Sequence, residues 1–247
     1  METNANKVNK LHSVWLTVKL SYRCFICSIQ AIILSYLKKN DRKAHDKLIH
    51  HFAKSILKPL KINFSLNNWE RLNNLPNNQP IIIMSNHSSL YDIPIIMHTL
   101  PKDISLRMLA KKELYKIPFF GRGMTSLNFP KIDRSNHKQA LLDLEFTKEL
   151  MRSGIVIWAA PEGRRSPTSE LLPFKKGIFI MAIELGALIV PISIKNANKV
   201  LPPNSYNYSI NEHVILTVGN FIDTSKLNIE DRDEIIAQVR TQIANSI

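Results

Sequence analysis

The sequence predicts an α/β protein: a mixed, largely parallel sheet flanked by helices, preceded by an N-terminal amphipathic two-helix motif. Three observations carry this expectation. After residue 60, short β-branched runs alternate with helical stretches, the order produced by strands joined through crossover helices. The 247 residues are 45% apolar with only seven glycines and no long Pro- or Ser-rich linker, which suits one sizeable core better than two tethered domains. The first 60 residues hold eleven Lys/Arg against three Asp/Glu, so +8 of the total charge of +13 sits there. The expected division is therefore a basic helical segment, 1–60, and an α/β domain, 61–247.

Taken in order, residues 1–10 are polar. Residues 14–37 are apolar but interrupted by Lys19, Arg23 and Gln30, and the longest uncharged stretch, 24–37, has 14 residues. That is short of the ~20 apolar residues of a simple membrane crossing. A signal peptide is disfavoured because Lys38-Lys39-Asn40-Asp41, not a small-residue cleavage site, follows Leu37. A helix lying in a membrane interface accounts for both the apolar face and the flanking cations, with Trp15, Tyr22 and Tyr36 at headgroup depth. Cys24 and Cys27, the two cysteines, fall inside this segment; they read as buried or lipid-facing thiols of a reducing compartment rather than as a disulfide framework.

A second amphipathic helix is expected over 44–57, where Leu48, Ile49, Phe52, Ile56 and Leu57 recur at helical spacing and Pro59 stops it. Both helices could equally pack on the α/β domain, one face on protein and one on lipid. Residues 61–66 and 81–85 then read as strands around a polar turn at 73–80. A short helix (93–98), a strand (106–110) and a long amphipathic helix (139–153) follow. After them come a strand (155–160), a helix (177–185), strands (187–194 and 214–221) and a charged closing helix (229–243).

Two loops carry chemistry. Asn86-His87-Ser88-Ser89-Leu90-Tyr91-Asp92 follows the expected strand 81–85 with its apolar run Ile81-Ile82-Ile83-Met84, placing an imidazole and a carboxylate five positions apart at a strand end, where α/β sheets bind ligands. Imidazole titrates near neutrality, and a carboxylate on its other nitrogen fixes the tautomer and stabilises the imidazolium. Ser89-Leu90-Tyr91-Asp92 is also a capping-box pattern, in which Asp92 would serve only helix donors. Pro94 disfavours a helix starting at Ser89, because its ring would then clash with the preceding turn.

The second loop, Pro161-Glu162-Gly163-Arg164-Arg165-Ser166, ends the run 155–160. It offers guanidinium groups suited to bidentate phosphate binding, and Glu162 to orient an arginine or meet a substrate hydroxyl. Asp133-Arg134-Ser135 and Phe174-Lys175-Lys176-Gly177 add further charge. An ordinary basic turn explains each of these equally well in isolation.

Taken together, these segments resemble the glycerolipid acyltransferases of the 1-acyl-sn-glycerol-3-phosphate acyltransferase (PlsC-like) family over roughly residues 61–200. Asn86 to Asp92 is similar to that family's HX4D block, Ile132-Asp133-Arg134 to its second, Pro161 to Ser166 to its third and Val190-Pro191-Ile192 to its fourth. The third block departs from the family's Phe-Pro-Glu-Gly-Thr-Arg, with Ala160 for Phe and Arg164 for Thr, which bears on the acceptor headgroup.

The resemblance implies transfer of a fatty acyl group from acyl-CoA or acyl carrier protein to the sn-2 hydroxyl of lysophosphatidic acid, giving phosphatidic acid. His87 would be the general base and Asp92 its partner. Arg134 and Arg165 would hold the phosphate, joined by Arg164 and Lys175, with Glu162 positioning the loop and Gly163 admitting close backbone approach. It implies no metal and no bound cofactor, and a place on the cytoplasmic face of a membrane containing anionic lipid (the inner membrane, in a bacterium).

Rival readings stay open. Arg164 leaves room for another lysolipid acceptor, such as a larger-headgroup lysophospholipid, an ornithine lipid or a lipid A precursor. A non-enzymatic basic protein would favour lipid over nucleic acid, since the charge lies in an apolar helical region without an aromatic-and-basic recognition motif. A metal hydrolase is disfavoured: His45 and His50 are five apart and no His-Glu-x-x-His occurs.

Overall fold

The computed structural model describes residues 6–37, 41–133, 135–168 and 170–247. Helix α1 (Lys10–Leu37) leads into α2 (Arg42–Leu57), and β1 (Asn63–Asn67) and β2 (Ile81–Ser85) follow. Then come α3 (Asp92–Thr99), β3 (Leu106–Met108), β4 (Ala110–Lys111), α4 (Phe120–Ser126) and β5 (Lys131–Ile132). The chain continues through α5 (His137–Arg152), β6 (Val156–Ala159), α6 (Gly177–Glu184), β7 (Leu188–Lys195) and α7 (Ala197–Val200). It closes with β8 (His213–Val218), β9 (Ile222–Asp223) and α8 (Arg232–Ala244).

The main sheet runs β1-β8-β7-β2-β6-β3, with β9 also paired to β7. Strands β7, β2, β6 and β3 are mutually parallel, while β8 and β9 pair antiparallel to β7. Every residue of β2 is buried, as expected for a central strand covered on both faces. Alternation along it divides the core. Ile81 and Ile83 join the layer of α2, α3 and α4, whereas Ile82 and Met84 join Ile178, Phe179, Ile235 and Val239 beneath α6 and α8. Sheet class, parallel bias and flanking helices thus agree with the sequence.

Helix α1 is 28 residues long, or about 42 Å at helical rise. Among the described residues it is the one helix long and apolar enough to cross a membrane by length and composition. Lys19 and Arg23, which interrupt the apolar stretch in sequence, are carried without breaking the helix; the Lys19 ammonium lies 4.4 Å from the Trp15 ring centroid. One face is protein-bound through Ser13, Leu16, Ser28 and Ala31, and the other leaves Val14, Trp15, Val18, Tyr22 and Phe25 exposed.

Helix α2 is capped by Asp41, whose Oδ1 accepts from the Ala44 N–H at 2.9 Å, and buries Ile49, Ala53, Ile56 and Leu57. It is fastened to the sheet by Arg107 of β3. That guanidinium is 1% exposed and donates through Nη1 to Asp46 Oδ1 at 2.7 Å, while Ser105 Oγ donates to the same oxygen at 3.0 Å. Residues on both sides of position 60 therefore share one core.

The expected strand 106–110 is in fact two. The Leu109 N–H donates to Trp158 O of β6, but the next one, from Ala110, donates to Pro130 O, so the chain leaves the main sheet there. The late strand stops at Val218, and β9 is separate.

Candidate active site

β2 ends at Ser85, and Asn86 continues its direction through side-chain bonds. The Asn86 amide donates to Ile194 O and accepts from the Ile194 N–H of β7, both at 2.8 Å. His87 follows at once. Its Nδ1 lies 2.8 Å from Asp92 Oδ2, with 15% of the imidazole side chain exposed and none of the carboxylate. The same Oδ2 accepts from the backbone N–H groups of Ser88 at 2.7 Å and Ser89 at 2.8 Å. These donors precede α3, so Asp92 braces the histidine's own turn; no side chain caps α3. The helix starts at Asp92 and puts Pro94 in its first turn, where proline is tolerated.

Trp158 of β6 meets the imidazole edge-on, ring centroids 5.6 Å apart, and donates from Nε1 to Ser85 Oγ at 3.0 Å. One ring nitrogen of His87 is thus oriented by a carboxylate, while Nε2 has no hydrogen-bond partner among the described residues. That is the arrangement a general base requires.

The turn after β6 closes on the same place. The Ser166 N–H donates to His87 O at 2.7 Å, bringing residues 165–166 alongside the histidine. Glu162 is 2% exposed, and both its oxygens are committed: Oε1 accepts from the His87 N–H at 2.8 Å and Oε2 from the Leu172 N–H at 2.9 Å. Burial pushes this carboxyl above the ordinary glutamate range, opposed by the two backbone donors. Of the roles open to Glu162 in the sequence, positioning the loops fits; its oxygens are turned neither to an arginine nor to open solvent.

Gly163 has φ +73°, a left-handed conformation that favours glycine, while a Cβ there would meet Lys175 Cγ only at an ordinary contact distance of 3.4 Å. The Lys175 N–H donates to Pro161 O at 2.7 Å, and Arg240 of α8 holds Leu172 O and Leu171 O at 2.7 and 3.0 Å.

Arg164 and Lys175 are exposed and line, with Glu162 and Gly163, a cavity of about 590 Å³ floored by Leu109, Leu144, Ala159 and Ile178. Arg165 is half-buried and forms no hydrogen bond or ion pair with the described residues, which leaves its guanidinium available. Arg134 lies outside the described residues. Its neighbour Asp133 is tied to Lys112 and Ser135, which hold its carboxyl down at about 2. Among the described residues no group of three or more His, Cys, Asp or Glu side chains is placed to hold a metal ion.

Sequence reasoning missed Asn86 as a structural bond-former, the Ser88 and Ser89 amides and the Trp158 edge. Only Asn86 had a visible signal, a lone amide directly beyond a buried strand.

A second, apolar cavity of about 70 Å³ lies between α1, α2 and the domain, lined by Cys24, Cys27, Phe52, Met97, Met124 and Phe129. Both cysteines are free thiols.

A largely parallel sheet with an acid–histidine pair at one strand end and free cationic groups at the next has the layout of an α/β group-transfer enzyme. Comparison with known proteins narrows that class. The chain belongs to the acyltransferase family: a family model described as "Acyltransferase" matches residues 68–195, more than half its length. It is 29% identical over 200 residues to a chloroplastic 1-acyl-sn-glycerol-3-phosphate acyltransferase of Arabidopsis thaliana, covering 80% of this chain and 54% of that one. It is 31% identical over 172 residues to the 1-acyl-sn-glycerol-3-phosphate acyltransferase of Saccharomyces cerevisiae, covering 68% and 56%. The chain thus spans a little over half the length of either relative. The fold is that of the crystal structure of the 1-acyl-sn-glycerophosphate (LPA) acyltransferase PlsC from Thermotoga maritima, with TM-score 0.75, 24% identity and 96% of both chains covered.

Proposed function

We propose that this protein transfers a fatty acyl group from a thioester, acyl-CoA or acyl carrier protein, to the sn-2 hydroxyl of 1-acyl-sn-glycerol 3-phosphate, giving phosphatidic acid. The observation that carries the reading is the 2.8 Å His87–Asp92 pair with Nε2 unpartnered, set against the 161–166 turn. His87 Nε2 takes the hydroxyl proton as the oxygen attacks the thioester carbonyl, and Asp92 stabilises the imidazolium. The proton is then returned to the departing thiolate as the carbon–sulfur bond breaks. No covalent enzyme intermediate is involved. Arg165 holds the acceptor phosphate, with Arg134, while Glu162 acts by bracing both loops.

Both relatives named above are called 1-acyl-sn-glycerol-3-phosphate acyltransferases, which supports this acceptor. The exposed Arg164 beside Lys175 favours one variation, an acceptor with a second anionic group in its headgroup.

The exposed apolar face of α1, carrying Lys10, Lys19 and Arg23 and no acidic residue, suits docking on the anionic cytoplasmic surface of a membrane, where the acceptor resides. The deciding experiment follows thiol release by purified protein with a panel of lysolipids and both donor types. Turnover with 1-acyl-sn-glycerol 3-phosphate, lost in His87→Ala without loss of Tm, is the expected result. A His87→Ala protein with near-normal turnover overturns it.

A further inference from the structure

The chain between β4 and α4 makes an unusual bend. Phe119 has φ +61° and ψ −45°, and the Phe120 N–H donates to Pro118 O at 2.7 Å. That three-residue bond defines a γ-turn of the rarer, strained hand, which disfavours a bulky residue at its centre. Such conformations are costly and persist where the surroundings impose them.

The surroundings do so here. A Cβ on Gly121 would fall 2.1 Å from Tyr115 O, and one on Gly123 would fall 2.8 Å from Ser28 Cα, so α4 is seated directly on its own loop and on α1. Phe119 is nevertheless 47% exposed, as is Ile117. The Phe119 ring reaches Phe25 of α1 edge-on, centroids 5.2 Å apart, which joins this tip to the exposed apolar stripe of that helix. Lys111, Lys116 and Arg122, all exposed, flank the tip in sequence, with Glu113 the one acidic residue from 111 to 122.

We propose that the γ-turn at Phe119 is a second bilayer-contact point, carried by the α/β body itself and inserted beside the outward face of α1. An apolar tip flanked by cations and continuous with an acid-free apolar helix is complementary to an anionic lipid surface, with the ring below the headgroups and the ammonium and guanidinium groups among them. The proposal rests on the docking of α1 put forward above. It adds that two elements distant in sequence share the surface, so the protein has a fixed tilt there.

The test is flotation of the full-length protein with vesicles of phosphatidylcholine and phosphatidylglycerol in equal parts. Three variants are compared: Phe119→Gly, which suits the positive φ; Phe146→Ala, a phenylalanine equally exposed at 49% but on α5; and Val18→Glu on the α1 stripe. Phe119→Gly is expected to weaken vesicle binding roughly tenfold, as removal of a half-inserted aromatic ring implies. Its Tm should stay within about 3 °C of wild type. Phe146→Ala should bind as wild type, and all binding should weaken with salt.

If Val18→Glu abolishes flotation while Phe119→Gly floats like wild type, the turn is not a contact and α1 docks alone. Equal losses in Phe119→Gly and Phe146→Ala would mean general surface stickiness and also overturn the proposal. A wild-type dimer in solution that Phe119→Gly dissociates would assign the face to a second copy of the chain instead. Failure of wild type to float removes the docking of α1 itself, and the catalytic reading is then judged separately by turnover in detergent.

Discussion

Replacing Asp92 by asparagine isolates what the carboxylate contributes, because the shape of the side chain is kept. The amide oxygen can take the place of Oδ2 and still accept from the Ser88 and Ser89 N–H groups, so the turn retains its brace. What disappears is the negative charge facing the imidazolium that forms when His87 takes its proton. With charge centres about 4 Å apart and an effective dielectric near 20, that interaction is worth about 4 kcal/mol. A loss of that size lowers kcat by about 10³-fold, within the ~10²–10⁴ range of general-base assistance.

There is a stability cost as well. Oδ1 is buried without a partner, and the NH₂ that replaces it would be an unsatisfied donor costing about 1–3 kcal/mol. The assay is therefore steady-state thiol release at a temperature well below the variant's measured Tm. The expected pattern is a thousandfold fall in kcat with KM changed little, and a His87→Ala/Asp92→Asn double variant no worse than His87→Ala alone. An Asp92→Asn enzyme within tenfold of wild type would refute the pairing argument, whatever its stability.

Glu162→Gln replaces one of two accepting oxygens with a donor that must face the N–H of His87 or Leu172, so Tm should fall by an amount equivalent to about 1–3 kcal/mol. Because burial raises the Glu162 pKa in the fold, its contribution is most favourable below the unfolded value and is lost as pH rises through the folded one. The stability gap between wild type and Glu162→Gln should accordingly narrow from pH 4 to pH 7 in urea titrations; a gap that widens contradicts the assignment. Asp46→Ala leaves the Arg107 guanidinium buried and unpaired, for which about 3–5 kcal/mol of destabilisation is expected by chemical denaturation. A shift under 1 kcal/mol would show that α2 is not fastened there. Arg165→Ala should lower kcat/KM for the phosphate-bearing acceptor by about 10–100-fold, as loss of charge-assisted hydrogen bonds implies. An Arg165→Ala enzyme that matches wild type with that acceptor would remove Arg165 from phosphate binding.

Where burial set the pattern, the sequence was legible. The strand read over 81–85 from its apolar run Ile81-Ile82-Ile83-Met84 became β2 to the residue, and α5 was found within two residues because its apolar spacing is helical. The His87–Asp92 pairing was legible as a possibility only, since a capping box uses the same letters; the 2.8 Å contact from His87 Nδ1 and a helix that begins only at Asp92, with Tyr91 rather than Ser89 at its N-cap, distinguish the two.

Helix α4 went unread because Gly121 and Gly123 argue against a helix locally, whereas their reason is tertiary, the contact with Tyr115 and Ser28. The break between β3 and β4 is likewise a change of hydrogen-bonding partner, from Trp158 to Pro130, that leaves no trace in hydropathy. The stretch 14–37 is helical throughout, as its composition implied, and α1 starts four residues earlier, at Lys10, where polar residues continue the helix without a hydropathy signal.

The doubly bonded Asn86 has a mechanical consequence. With its amide locked to both backbone groups of Ile194, the root of the histidine loop is cross-linked like one further rung of the β2–β7 ladder and offers no hinge. The Ile194 amide proton, held by the Asn86 side chain, should accordingly exchange slowly with solvent, and the base keeps its place as a bulky lipid enters.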